Sequence, residues 1–170
     1  MFLAKAAATA AAINTEETMS SAAKFGFPSH MWTQYTQTGK GAGWGLEVGN
    51  QRVVMRSWEN KWVTMNHPSG NGMFANRGAT GPWEKFAVHS HGGNVVSLKA
   101  ANGRWVTCEG NKRMTSNRVA IGPWEKFTVI NHGVGASLRT AHNTYVVAEK
   151  NGVLNCNRGA IGPWEKFYGW

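Results

Sequence analysis

The sequence has no aspartate: all nine of its acidic residues are glutamate. That removes Ser-His-Asp triads, paired-aspartate sites and the Asp-rich loops that hold calcium. Cysteine is nearly as scarce. Cys108 and Cys156 are too few for a disulfide framework and lack the Cys-x-x-Cys spacing of zinc or redox sites. No apolar run approaches the ~20 residues needed to cross a bilayer, because the Ala-rich start is interrupted by Lys5. That start also fits neither a secretory signal, since Lys5 follows Phe2 and Leu3, nor an organellar presequence, since Glu16 and Glu17 arrive early. The expectation is a cytoplasmic protein without a membrane span. Charge is sparse too, at 16% of residues, yet Lys and Arg outnumber Glu 18 to 9 for a net charge of +9. A charged partner would be acidic.

What the chain does have is repetition. Gly-Pro-Trp-Glu-Lys-Phe begins at Gly81, Gly122 and Gly162, at intervals of 41 and 40 residues. Upstream of each copy stands Asn-Arg, at Asn76-Arg77, Asn117-Arg118 and Asn157-Arg158. Further upstream, Val53 to Arg56, Val96 to Lys99 and Ala136 to Arg139 correspond, and Trp62-Val63, Trp105-Val106 and Tyr145-Val146 follow in the same register. Within each unit apolar and polar residues alternate, and Gly, Asn or Pro separates the runs, so each unit reads as four short strands. In the second unit Val96, Leu98, Val106, Cys108, Met114, Ser116, Phe127 and Val129 face inward on this register. Pro in the repeated Gly-Pro step presets φ for the turn into the fourth strand. Three units are too few for a propeller, and an open solenoid would expose its ends; closure into a threefold barrel meets both constraints.

With these motifs in place, residues 50–170 resemble the fascin-like β-trefoil family, in which stretches like Leu98 to Val106 and Asn117 to Phe127 recur. The resemblance implies an all-β fold, a single β-trefoil of twelve strands with Phe86, Phe127 and Phe167 buried near its axis, and association with actin-type filaments. Residues 1–49 form an N-terminal extension, read as a partly helical, partly irregular docking arm. Residues 3–12 and the stretch from Thr15 to Gly26 are its helix candidates, and Phe25, Phe27, Trp32, Tyr35 and Trp44 are its apolar anchors. The arm is charge-neutral, so the whole +9 belongs to the trefoil.

The repeated side chains read as structural before they read as chemical. Trp83, Trp124 and Trp164 could be sugar platforms, but each stands beside a tight turn, which favours packing over the barrel end. Glu84, Glu125 and Glu165 recur identically in all three units, which favours pairing with Arg77, Arg118 and Arg158 over catalysis. Cys108 and Cys156 read as small core residues. His89 and His91 have no third ligand at a telling spacing, so no metal site, no cofactor and no catalytic residue is expected. The candidate binding residues are basic and point outward: Arg56, Lys99 and Arg139 at one repeated position, Lys61 and Arg104 at another, and Lys112 and Arg113 at a hairpin tip. The expected function is non-catalytic docking on an acidic protein, as an accessory subunit of a larger assembly or on an actin-type filament. Carbohydrate binding is the alternative, although the Gln-x-Trp repeat and sugar-binding Asp of ricin-like trefoils are absent. Nucleic acid ranks last, because no recognised motif or helix-borne basic run accompanies the pI of 10.0.

Overall fold

A computed structural model of the chain describes residues 25–34, 51–65 and 72–169. The helix candidate at 3–12, most of the one from Thr15 to Gly26, and the anchors Tyr35 and Trp44 lie outside the described residues. The described residues carry thirteen strands. They are β1 (Trp32–Gln34), β2 (Gln51–Val53), β3 (Trp62–Met65), β4 (Met73–Arg77), β5 (Ala87–Ser90), β6 (Val95–Lys99), β7 (Trp105–Cys108), β8 (Met114–Arg118), β9 (Phe127–Asn131), β10 (Gly135–Arg139), β11 (Tyr145–Ala148), β12 (Leu154–Arg158) and β13 (Phe167–Tyr168). The last twelve are the four-stranded units expected from the repeats.

The first and fourth strands of each unit close a six-stranded barrel. β5 pairs with β6, β6 with β9, β9 with β10 and β10 with β13. Bridges from Val53 to Phe86 and from Arg56 to Tyr168 complete the ring through β2. Hairpins β3–β4, β7–β8 and β11–β12 supply the remaining strands. They touch one another through the bridges Gly72 to Thr115, Phe74 to Val153 and Arg113 to Asn155, forming a triangular cap. This is a β-trefoil. Phe86, Phe127 and Phe167 are all at most 1% exposed, and every residue of the second unit assigned to the inner face is buried.

The outer face departs from simple alternation. Ser97, Thr107 and Ser137 are also fully buried, although alternation turns them away from the core. The repeated motif is the cause. Pro-Trp-Glu forms a single 3-10 turn at 82–84, 123–125 and 163–165, and that turn lies over the outside of the barrel. Ser97 and Ser137 donate to the carbonyls of Glu125 and Glu165 at 2.7 Å, and Thr107 donates to the Glu125 carboxylate.

The barrel has a seam where the chain's two trefoil ends meet. The fourth strand of the third unit is only Phe167–Tyr168, whereas its counterpart β9 runs for five residues. The arm supplies the rest. Ser90 pairs with Val96 and Asn131 with Ala136, and at the equivalent position Trp32 pairs with Val53. Gly169 abuts the arm so closely that a Cβ there would sit 2.1 Å from the His30 carbonyl oxygen. β13 and β1 therefore form one strand in two pieces, both antiparallel to the first strand of unit one. Val54 donates to the Met31 carbonyl at 2.8 Å, and Phe27, Met31 and Trp32 join the core cluster.

Candidate binding surface

The acidic side chains are organised by the repeats. Glu84, Glu125 and Glu165 are buried, and each accepts from the backbone N–H of its own motif glycine, at 2.6, 2.7 and 2.6 Å. This closes the 3-10 turn by satisfying an orphan donor. Arg77, Arg118 and Arg158 stand 4.0, 4.0 and 3.9 Å away, the pairing read from the sequence. Thr64 adds a 2.5 Å hydrogen bond to Glu84 and Thr107 one to Glu125; the third unit has Val147 there. Glu109 and Glu149 hold the same arginines from the other side, at 2.5 Å to Arg118 and 2.6 Å to Arg158. Burial would raise the Glu109 carboxyl, but hydrogen bonds from Thr115 and Arg118 outweigh it and hold the pKa below the usual carboxylate value.

Of the six glutamates in residues 50–170, five are thus turned into the fold or paired, and Glu59 is exposed. The same stretch carries fifteen Lys and Arg. Lys61, Arg104, Arg113 and Arg139 from the sequence reading are exposed, as are Lys126 and Lys150, which that reading did not select. The exposed charge of the described trefoil residues is therefore predominantly positive.

The structure distributes the selected cations. Arg56, Lys99 and Arg139 occupy equivalent positions in three units, so the threefold arrangement spaces them around the barrel. The Arg56 guanidinium lies 5.6 Å from the Trp62 ring centre and the Lys99 ammonium 5.0 Å from that of Trp105. Arg56 also donates to Asn60 at 3.0 Å, and Arg139 donates to Asn143 through Nε at 2.8 Å. Lys61 and Arg104 close the same turns, their carbonyls accepting from Ser57 and Ala100. Lys112 and Arg113 lie apart, on the β7–β8 hairpin in the cap. Lys112 adopts a left-handed φ of 69°, and its carbonyl accepts from Cys156 at 2.8 Å, so this tip is a structural contact between units. Of the arm anchors, Phe27 and Trp32 are buried and Phe25 packs against the core, its ring centre 5.8 Å from that of Trp32.

The cysteines, read from the sequence as small core residues, also carry a bond that the reading did not include. Both are buried as expected, but Cys108 and Cys156 form a disulfide. Cys108 ends β7 in unit two, Cys156 lies within β12 in unit three, and the meeting of the two hairpins in the cap sets their Cα atoms 6.1 Å apart. At the equivalent positions Met65 answers to Cys108 and Ser116 to Cys156, as do Ala148 and Ala75.

The tryptophans of the motif divide. Trp83 packs against the core and Trp164 is half-buried, but Trp124 is 40% exposed, tilted against His142 at 5.0 Å. His91 and His132 each stand 2.7–2.8 Å from a buried serine, Ser97 and Ser137. Because each serine gives its proton to a carbonyl, each imidazole must donate. Burial lowers both imidazole pKa values, helped by His89 and Lys126 at His91 and by Lys166 at His132. Among the described residues no three His, Cys or Glu gather as metal ligands, and no helix is long and apolar enough to cross a membrane.

A search of curated proteins found no match to this chain. Among solved structures, the crystal structure of a designed threefold-symmetric protein, ThreeFoil, superposes with a TM-score of 0.61 at 11% identity, covering 68% of this chain and 94% of the other. At that identity the likeness establishes the fold alone. A family model, the FRG1-like domain, matches residues 63–162, more than half of the sequence and nearly the whole of the repeated region. The chain belongs to the FRG1-like domain family.

Proposed function

We propose that this protein is a non-catalytic binding module that docks an acidic protein partner. The observation that carries the reading is the fate of the glutamates: of the six in residues 50–170 the fold draws five inward or into ion pairs, while of the lysines and arginines there only Arg52 is buried. Family membership supports a binding module. The absence of catalysis is supported by the state of the candidate groups. Ser97 and Ser137 are buried donors to carbonyls, the glutamates close turns, and the cysteines are bonded to each other.

The partner is an acidic subunit of a larger assembly or an actin-type filament, the latter on the fascin-like resemblance. Cosedimentation of the full chain with actin filaments, at about 0.1 M and about 1 M salt, tests this. The Debye length shortens from ~10 to ~3 Å over that range, so binding carried by exposed charge falls steeply. Arg104→Glu with Arg113→Glu should weaken it further. Binding that neither salt nor charge reversal changes removes the electrostatic reading, and no binding at low salt removes the filament. Carbohydrate binding is a second reading, supported by the exposed indoles of Trp58 and Trp124; saturable binding on a glycan array would promote it. The disulfide supports a setting in which thiols oxidise, against the cytoplasmic expectation.

A further inference from the structure

The repeats separate what the fold requires from what it does not. Trp58 stands where the other units have Ala101 and Ala141, and Tyr168 where they have Ala87 and Thr128. Val134 occupies a β9–β10 turn whose counterpart is Gly92, Gly93 and Asn94. The other two units thus build the same turn without Trp58 and the same strand without Tyr168, and the β5–β6 turn forms without a counterpart of Val134. Trp58 is nonetheless 56% exposed and Val134 70% exposed, so neither is there to fill the core.

All three lie on one stretch of surface, at the seam. A cavity of about 240 Å³ is bounded by Arg56, Ser57, Trp58, Asn60 and Tyr168. A second, of about 350 Å³, is bounded by His30, Arg56, Val134, Tyr168 and neighbouring glycines. Arg56 and Tyr168 border both, so the two adjoin as neighbouring halves of one surface cleft. Its walls are fixed. The Tyr168 ring lies against Gly135, where a Cβ would come within 2.8 Å of it. Arg56 is held by Asn60 and the Trp62 face, and His30 by the close approach of Gly169.

We infer that this cleft is the anchor site for the acidic partner, taking a bulky apolar side chain of an acidic peptide segment between Trp58 and Tyr168, with Val134 lining the adjoining cavity. Trp, Tyr and Arg are the residues that dominate binding energy at protein interfaces, where a rigid pocket takes a side chain inside a polar rim. Charge complementarity selects the peptide's sign. Arg56 forms the shared wall, and Lys61 follows in the same turn against Glu59, the single exposed glutamate among the described residues. The inference rests on the docking function proposed above and gives it a place at the seam, away from the β7–β8 tip.

The test uses two labelled Glu-rich decapeptides that differ only in a central Phe or Ser, titrated against the full chain at low salt. The Phe peptide should bind about tenfold or more tightly than the Ser peptide. Trp58→Ala should abolish that preference and leave the residual, salt-sensitive binding of both. Val134→Ser, at an exposed turn, should reduce the preference, and unchanged melting temperatures would show that both variants fold. Equal affinity of the two peptides, or a preference that survives Trp58→Ala, overturns the anchor site but leaves electrostatic docking standing. Failure of both peptides to bind removes the docking function with it. Saturable binding of a neutral oligosaccharide that Trp58→Ala abolishes would overturn the peptide and give the cleft to sugar.

Discussion

Units two and three are each joined to the unit before them by a hairpin, β5–β6 and β9–β10, whereas in the barrel unit one meets unit three only across the seam. Between two and three the chain is continuous through the β9–β10 hairpin, and the disulfide adds a covalent link across their boundary. Each of the two is preceded by a turn whose histidine donates to a buried serine, which in turn donates to the backbone of the repeated motif. Unit one has Val54 at the serine position, and its amide donates instead to Met31 of the arm. A threefold barrel cut from one chain has only two inter-unit hairpins, and the third junction must be closed by non-covalent contact. Here the arm does it, which explains why Phe27, Met31 and Trp32 belong to the core.

The strongest test of the underlying symmetry is the shared phenylalanine layer. Phe86→Ala, Phe127→Ala and Phe167→Ala should each lose about 3–5 kcal/mol in denaturant unfolding. A much smaller loss at Phe167 than at Phe127 would mean that the seam end of the barrel is loosely packed and the units are not equivalent. Next comes the disulfide. The bond spans 48 residues, and replacing both cysteines with Ala should cost about 2–4 kcal/mol by restoring freedom to the unfolded chain. A native thiol titration that finds two reactive groups before unfolding would remove the link between units two and three.

The arm contact is tested by Met31→Ala, expected to cost about 2 kcal/mol or more because the side chain is fully buried. Hydrogen exchange gives a second readout: the Val54 amide should be protected as well as its neighbours in β2. A neutral substitution and an unprotected amide would leave the seam open. A smaller effect separates unit two from unit three at the glutamate turn. Thr107→Val removes a donor from a buried carboxylate and should cost about 1–2 kcal/mol, whereas unit three already has Val147 there. The smallest effect concerns pH. His91 and His132 have folded-state pKa values below their unfolded ones, so their contribution is present above the unfolded value and is lost as pH falls through the folded one. Both rings are exposed, so the loss is slight. Replacing both with Gln should flatten the melting temperature between about pH 7.5 and pH 5, and an unchanged profile would assign the slope elsewhere.

The number of units, their register and their inward side chains could be read from the chain alone, because a trefoil repeats the same local pattern and alternation needs only neighbours along the chain. It also located the Glu–Arg pairs, since the motif and the Asn-Arg dipeptide recur at fixed separation. The burial of Ser97 and Thr107 was not legible, because strand alternation ignores a turn that folds back over the outer face. The Cys108–Cys156 bond, the completion of β13 by the arm and the cleft between Trp58, Tyr168 and Val134 join residues from different units or from opposite ends of the chain. No spacing encodes them. They come into being only when the three units assemble, since assembly sets two cysteines of the cap side by side, leaves one barrel junction without a hairpin and gathers three departures from the repeat on the same surface.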